Sequence, residues 1–310
     1  MSPVTFVFGA MRSGTTVFRL MLNAHSKVNN PGEFDFLFDY IFVNKSHPTG
    51  WVFNKELLMN DRNFRRRNLV LDDKLDGLDL LDNLLVQISP TPGAPVMLNV
   101  HRNVDRIVKI FPDTRIIHLL RDPRDVALSS IGMGWAAMIY YGVDHWLTSE
   151  WAWEESAHMI SSDQIYTLKY EDLFSNTEQQ LTQVCQFIGI PFEAAMLRYH
   201  ENTSYGPPNA KSIGAWKNKA SAHEVALLEG KAATMMTRRG YVLNGPAAFP
   251  GRLEKFLLWA RNKFGVWGFS GRRFGHGLYW GEKISRWSKL SGLNKKFQRR
   301  MHTISIQHLK

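Results

Sequence analysis

The chain has 310 residues, 44% apolar and 21% charged, a globular composition that excludes a disordered, fibrous or solenoid protein. A single cysteine, Cys185, excludes a disulfide framework or a Cys-ligated zinc site, and no apolar run approaches the ~18 residues of a membrane span. Of the net charge of +10, residues 251–310 supply 14 Lys and Arg against two acids (Glu254, Glu282), so the near-neutral body gives no support to nucleic-acid binding.

Val4–Phe8 is β-branched and aromatic and is expected as a strand, too short for the apolar core of a signal peptide. A loop from Gly9 to Gly14 follows, then a helix from Thr15 to Ala24 with Val17, Leu20, Met21 and Ala24 on one face. Residues 34–95 interrupt this rhythm with a basic run (Arg62, Arg65, Arg66, Arg67) and spaced aspartates (Asp72, Asp73, Asp76, Asp79, Asp82). They read as a helical insertion over one edge of a sheet, either covering an acceptor site or standing as a solvated flap. Val96–Val100 and Arg115–Leu120 are two further strands, each followed by a helix, and Pro123 suits the first turn of the second helix. A fourth strand is expected from Gln164 to Leu168. The helix beyond it buries Leu181, Val184, Cys185 and Ile188 and ends at Gly189. Ser221-Ala-His-Glu224 is a capping box opening a helix that stops at Gly240. Short strands alternating with helices predict a parallel sheet covered on both faces.

Gly9-Ala-Met-Arg-Ser-Gly14-Thr15-Thr16 lies between the first strand and its helix, where glycines allow close backbone approach and the helix N-terminus offers N–H groups to an anion. Its G-x-x-x-x-G spacing is that of a nucleoside-triphosphate loop, but Thr15 holds the lysine position and Arg12 is the loop's cation. A nucleotide phosphate other than a triphosphate is therefore expected.

That loop, with Phe6-Val-Phe before it, resembles the 5′-phosphosulfate loop of sulfotransferases that use 3′-phosphoadenosine 5′-phosphosulfate (PAPS), in the branch that includes tyrosylprotein sulfotransferases. The run from Phe111 to Ser130 resembles the family's 3′-phosphate motif, in which Arg121 and Ser129 would hold that phosphate. Leu168-Lys-Tyr-Glu-Asp-Leu173 is similar to a segment that would bring Tyr170 near the adenine. Ser212-Ile-Gly-Ala-Trp-Lys-Asn218 resembles a late loop of the family, with Trp216 and Lys217 matching. Its upstream Arg-Lys pair is replaced by Asn209-Ala210, with Lys211 the substitute cation. The resemblance covers roughly residues 4–240. It implies an α/β, P-loop-like, three-layer fold with a mainly parallel central sheet flanked by helices. The sulfotransferase domain would occupy residues 1–250, with the insertion at about 34–95, followed by a basic, Trp-containing helical tail over 251–310.

The resemblance also implies in-line sulfuryl transfer from PAPS to a hydroxyl or amine, leaving 3′-phosphoadenosine 5′-phosphate, with no metal. Arg12, Ser13, Gly14, Thr15 and Thr16 would hold and polarise the transferring group. Glu33, in Asn30-Pro-Gly-Glu33, matches the branch's general base, and His101, just after the second predicted strand, is its rival. His118, inside a strand, is expected in the core. The aromatic segment Trp135–Trp153 is either helix core or a surface for the acceptor, which stays open among carbohydrate, peptide tyrosine, small alcohol and lipid. In the tail, Leu253, Phe256, Leu257, Ala260 and Phe264 form an apolar stripe that either packs on the protein or a second copy, or contacts a membrane surface or a polyanion. A cytoplasmic enzyme is expected. A phosphotransferase using Mg²⁺-ATP and a non-catalytic nucleotide-binding protein or membrane scaffold are the alternatives.

Overall fold

β1, Val4–Phe8, sits at the centre of a parallel sheet whose order is β2-β5-β1-β6-β7. The computed structural model describes residues 4–89, 96–203, 205–206 and 210–308. In chain order, β1 leads to α1 (Thr15–Asn23), β2 (Asn29–Glu33) and α2 (Asp35–Asp39). The antiparallel pair β3 (Ile41–Val43) and β4 (Trp51–Phe53) follows, then α3 (Lys55–Asn60), α4 (Arg62–Arg66) and α5 (Gly77–Ile88). Next come β5 (Val96–Val100), α6 (Val104–Ile110), β6 (Arg115–Leu120), α7 (Pro123–Gly132), α8 (Ile139–Gly142) and α9 (Asp144–Ala157). β7 (Ile165–Lys169), α10 (Tyr170–Ser175), α11 (Thr177–Ile188), α12 (Trp216–Lys219) and α13 (Ala222–Arg238) complete the body. The tail is α14 (Arg252–Phe274), α15 (His276–Trp287) and α16 (Ser291–His308).

The strand period of two builds both cores. Phe6, Phe8, Leu98, Val100 and Ile116 face one way, whereas Val7, Met97, Ile117 and Leu119 face the other. The second face is covered by α1 and α11 through Phe18, Met21, Leu22, Leu181, Val184 and Cys185. The first is covered by the insertion: Phe34, Phe36, Phe38, Leu58, Leu80 and Leu84 are buried against it. This insertion is a core layer, so the solvated-flap reading gives way; two of its aspartates cap helices, Asp61 accepting from Asn63 N and Asp76 from Gly77 N.

Sequence pattern missed β2, and also the antiparallel pair β3–β4 inside the segment expected to be helical. Asn-Asn-Pro-Gly-Glu has no strand propensity, but among the described residues it is the outermost strand, paired with β5, and Pro31 falls where the pairing register shifts between Asn29 and Gly32, a place that tolerates a missing N–H. The capping box forms as its sequence requires, Ser221 N donating to Glu224 Oε2 at 3.1 Å and Glu224 N to Ser221 Oγ at 3.3 Å.

The chain divides into two compact units. One comprises residues up to 126 with 145–215 and 234–241; the other comprises 127–144, 216–233 and 242–310. The first contains the five-stranded sheet and both faces of its core. It also buries Trp146 and Trp153 of the aromatic segment: Trp153 stacks on Phe8 (centroids 5.3 Å apart) and on His118 (4.2 Å), while Trp151 remains exposed. His118 is held by Glu150 at 3.2 Å, itself bound by Arg239 at 2.7 Å, an internal hydrogen-bonded network. In the second unit α14, α15 and α16 pack in succession, and Met138, Leu227 and Leu258 form a small core.

Candidate active site

Each strand of the sheet delivers one candidate residue at or just beyond its carboxyl end: the Gly9 loop after β1, Glu33 closing β2, His101 after β5, Arg121 after β6 and Tyr170 after β7. β1 is where the order turns, since the chain leaves it first for β2 and β5 on one side and later for β6 and β7 on the other. Such a switch point opens a crevice at the carboxyl ends of the strands.

The loop is shaped by close approaches. A Cβ on Gly9 would fall 2.6 Å from the Leu119 carbonyl oxygen, so only glycine fits between the adjacent strands. Gly14 has φ +97°, and a Cβ there would press into the Tyr170 ring. Arg12 is held at φ +73°, a conformation a non-glycine residue adopts at a cost of about 1–3 kcal/mol and keeps where its surroundings enforce it. α1 begins at Thr15 with no side-chain cap on its N–H groups and no acid in its first turn, which leaves its positive end turned to the loop.

Among the described residues, two buried polar atoms in this region have no partner: the Ser13 hydroxyl oxygen and Arg121 Nε. The rest of the Arg121 guanidinium is fixed, Nη1 donating to Arg12 O at 2.9 Å and Nη2 to Ser212 O at 3.2 Å, with the group lying 4.3 Å over the Tyr170 ring. Tyr170 Oη bonds to Ser212 Oγ at 2.8 Å. Burial, together with the nearby Arg121 charge and against the pull of Tyr205, holds the Arg12 guanidinium below its ordinary value. An anion would supply what these groups lack: an acceptor for the two orphaned donors and a charge between two arginines. Glu171 braces the same corner, accepting from Asp122 N at 2.8 Å and from Tyr241 Oη at 3.2 Å.

Glu33 and His101, rivals in the sequence, stand together, with Glu33 Oε1 3.6 Å from His101 Nε2. His101 is buried, and its Nδ1 lies 2.7 Å from the Gly9 carbonyl oxygen. A carbonyl only accepts, so Nδ1 carries a proton and Nε2 is the atom turned to Glu33. Burial acts against the charged imidazole, but the Glu33 and Asp35 carboxylates outweigh it and raise His101 above its ordinary value. Glu33 is lowered by His101, against burial and with help from Arg19 and Arg62. The Glu33 side chain is more than half exposed, so the pair has one buried and one accessible member.

Several residues of this corner escaped the sequence reading. Asp35 accepts from His101 N at 2.7 Å and Arg102 N at 3.2 Å and fixes the imidazole's backbone. Asn30 donates to Asn99 Oδ1 at 2.9 Å, and Asn99 donates to Thr15 O at 3.3 Å, which ties the Glu33 strand to the start of α1. A polar Asn99 in the middle of an apolar strand was the signal available. Arg67 donates to Pro31 O at 2.5 Å, and Arg67 and Arg19 both flank Gly32.

Thr15 is buried and Thr16 half-buried at the head of α1. Ser129, Trp216 and Lys217 belong to the second unit: Ser129 is half-buried on α7, Trp216 is buried, and exposed Lys217 lies 5.7 Å over the Trp216 ring. The Lys211 side chain lies outside the described residues.

The chain is 28% identical over 212 residues to an uncharacterised Aquifex aeolicus protein, a match that takes in 63% of this chain and 26% of that one, so it spans about a quarter of that relative's length. It is 25% identical over 207 residues, 63% of this chain and 69% of the other, to a Caenorhabditis briggsae protein named putative protein-tyrosine sulfotransferase. In fold it is similar to the sulfotransferase domain from the curacin biosynthetic pathway, with TM-score 0.60, 17% identity, and coverage of 78% of this chain and 99% of that one. The model described as the sulfotransferase family matches residues 3–194, most of the body and both sides of the crevice, and the chain belongs to that family.

Proposed function

We propose that the protein transfers a sulfuryl group from PAPS to an acceptor hydroxyl. The observation that carries this reading is the pair of buried, unpartnered donors, Ser13 Oγ and Arg121 Nε, at an uncapped helix N-terminus whose loop cation is an arginine. When bound, PAPS supplies sulfur on a phosphate leaving group. The 5′ end belongs with the loop and the head of α1 (Arg12 to Thr16), and the 3′-phosphate with Arg121 of the same unit. Tyr170, in contact with Gly14, Arg121 and Phe174, ties the loop to the 3′-phosphate cation on the side where the resemblance puts the adenine.

Glu33 acts as the general base. It is accessible, ionised at neutral pH, and oriented by a His101 that the Gly9 carbonyl locks in one ring orientation. As the acceptor oxygen bonds to sulfur and the bond from sulfur to the phosphate oxygen breaks, Glu33 takes the acceptor proton and the electron pair departs with the phosphate. Arg12 and the N–H groups of the α1 head stabilise the charge that builds there. Arg19, Arg62 and Arg67 around Glu33 favour an acceptor carrying negative charge beside its hydroxyl, such as a tyrosine flanked by acids.

Thermal-shift titration with 3′-phosphoadenosine 5′-phosphate, against ATP with and without Mg²⁺, tests the donor. A saturating ligand at ~100 times its Kd adds about 2.7 kcal/mol, a shift of a few degrees, and the shift is expected with the 3′-phosphorylated nucleotide alone. A shift only with Mg²⁺-ATP makes the loop a phosphotransferase site. Labelled-sulfate transfer to acidic and neutral tyrosine peptides then tests the acceptor.

A further inference from the structure

The apolar stripe of α14 is the wrong way round for a packed helix. Leu253, Phe256, Leu257 and Phe264 are 72%, 59%, 56% and 64% exposed, and Ala260 completes the stripe between them. The face that packs is offset by five residues, roughly 140° around the helix at ~100° per residue. It carries Leu258, Asn262, Gly265 and Phe269: Asn262 accepts from Ala137 N at 2.8 Å, Gly265 sits against Ala137, and Phe269 lies on Gly134. A small residue and a hydrogen bond have decided which face docks, and the more apolar face is left bare.

The cations are arranged around that bare face. Arg252 and Lys263 lie roughly 90° to one side of its centre and Arg261 and Arg272 roughly 90° to the other, the positions from which long side chains reach up from an apolar stripe lying in a surface. Lys263 Nζ sits 4.6 Å over the Trp259 ring and 5.1 Å over the Trp267 ring. The two acids of this region are occupied, Glu254 paired with His223 at 2.7 Å and Glu282 buried. α15 repeats the plan, with Ile284 and Trp287 exposed and Tyr279 and Ser285 buried. Among the described residues no helix is long and apolar enough to cross a membrane.

We propose that α14 is a membrane-surface helix: its Leu253–Phe264 stripe enters the headgroup layer of an anionic bilayer while the flanking arginines and lysine engage the lipid phosphates. Apolar burial and charge complementarity act together in such a helix, and neither alone suffices. A second copy of the chain would cover the stripe equally well but gives no account of a cationic rim on both sides, because two such faces would repel.

The test uses the full chain in sedimentation with vesicles of phosphatidylcholine alone and of phosphatidylcholine mixed with phosphatidylglycerol, with tryptophan emission recorded in parallel. Binding to the phosphatidylglycerol vesicles with a blue-shifted emission is expected. Combined Phe256→Ser, Leu257→Ser and Phe264→Ser substitutions should abolish it, with circular dichroism and Tm unchanged because these side chains touch little. Combined Arg252→Gln and Arg261→Gln should weaken binding on the order of tenfold. Absence of binding to anionic vesicles overturns the proposal. So does binding that survives the triple serine variant, which would be adsorption by charge alone. Self-association of the wild-type chain in ultracentrifugation, lost in the triple variant and unaccompanied by vesicle binding, overturns it in favour of a second copy.

Discussion

Arginines of the crevice and arginines of α14 are built in opposite ways. Arg121 is buried, with Nη1 and Nη2 each bonded to a carbonyl and its guanidinium held over the Tyr170 ring, so the N–H groups left over are fixed in direction. Arg252, Arg261 and Arg272 are exposed on a helix surface and set no direction. The first arrangement is organised in advance and, on the proposed reading, would select an anion by shape. The second is diffuse and suits a surface with many equivalent charges. The apolar residues differ in the same way: Leu84 is sealed in the core by the insertion, whereas Phe264 is bare.

The comparison is sharpest at Glu33. Glu33→Gln should lower turnover by about 10²–10⁴-fold, the range for a positioned general base, while leaving the Kd for 3′-phosphoadenosine 5′-phosphate unchanged. Near-normal turnover moves the base role to His101. Leu84→Ala should cost about 2–5 kcal/mol of stability by urea unfolding if the insertion is truly a core layer. A loss below about 1 kcal/mol would return it to the status of a flap. Arg121→Ala should weaken nucleotide binding by about 1.5–3 kcal/mol, since a charged hydrogen bond is lost, and titration calorimetry measures it directly. An unchanged Kd removes Arg121 from the crevice.

The Glu33–His101 pair predicts a pH window. His101 is raised in the folded protein, so its contribution is full below the unfolded value of about 6.5 and fades as pH rises through the higher folded value. Glu33 is lowered, so its contribution is full above about 4.3 and fades as pH falls through the lower folded value. The Tm difference between wild type and Glu33→Gln should therefore be greatest between about pH 4.3 and 6.5 and shrink on either side. A flat difference denies the pairing. The smallest effect belongs to the tail: Phe264→Ser alone should change stability by no more than about 0.5 kcal/mol, as for other exposed positions. A cost of several kcal/mol would mean that the stripe is covered.

What the sequence determined by itself is local. The strand-loop-helix at Gly9–Thr16, the Arg121-Asp-Pro turn after the third predicted strand and the alternation of short strands with helices are all written in adjacent residues. So is the capping box of α13, because propensity, glycine conformation and capping act within a few residues of the chain. What tertiary structure decided is every relation between distant segments. Asn29–Glu33 is a strand only because β5 offers an edge to it, and Glu33 meets His101 only because those two strands are neighbours. The insertion is core because Phe34, Phe36 and Phe38 face the sheet. In α14 the 3.6-residue period marked an apolar face, but Gly265 and Asn262 settled which face docks, since steric fit and a satisfied N–H outweigh apolar area when two faces of one helix compete for one surface.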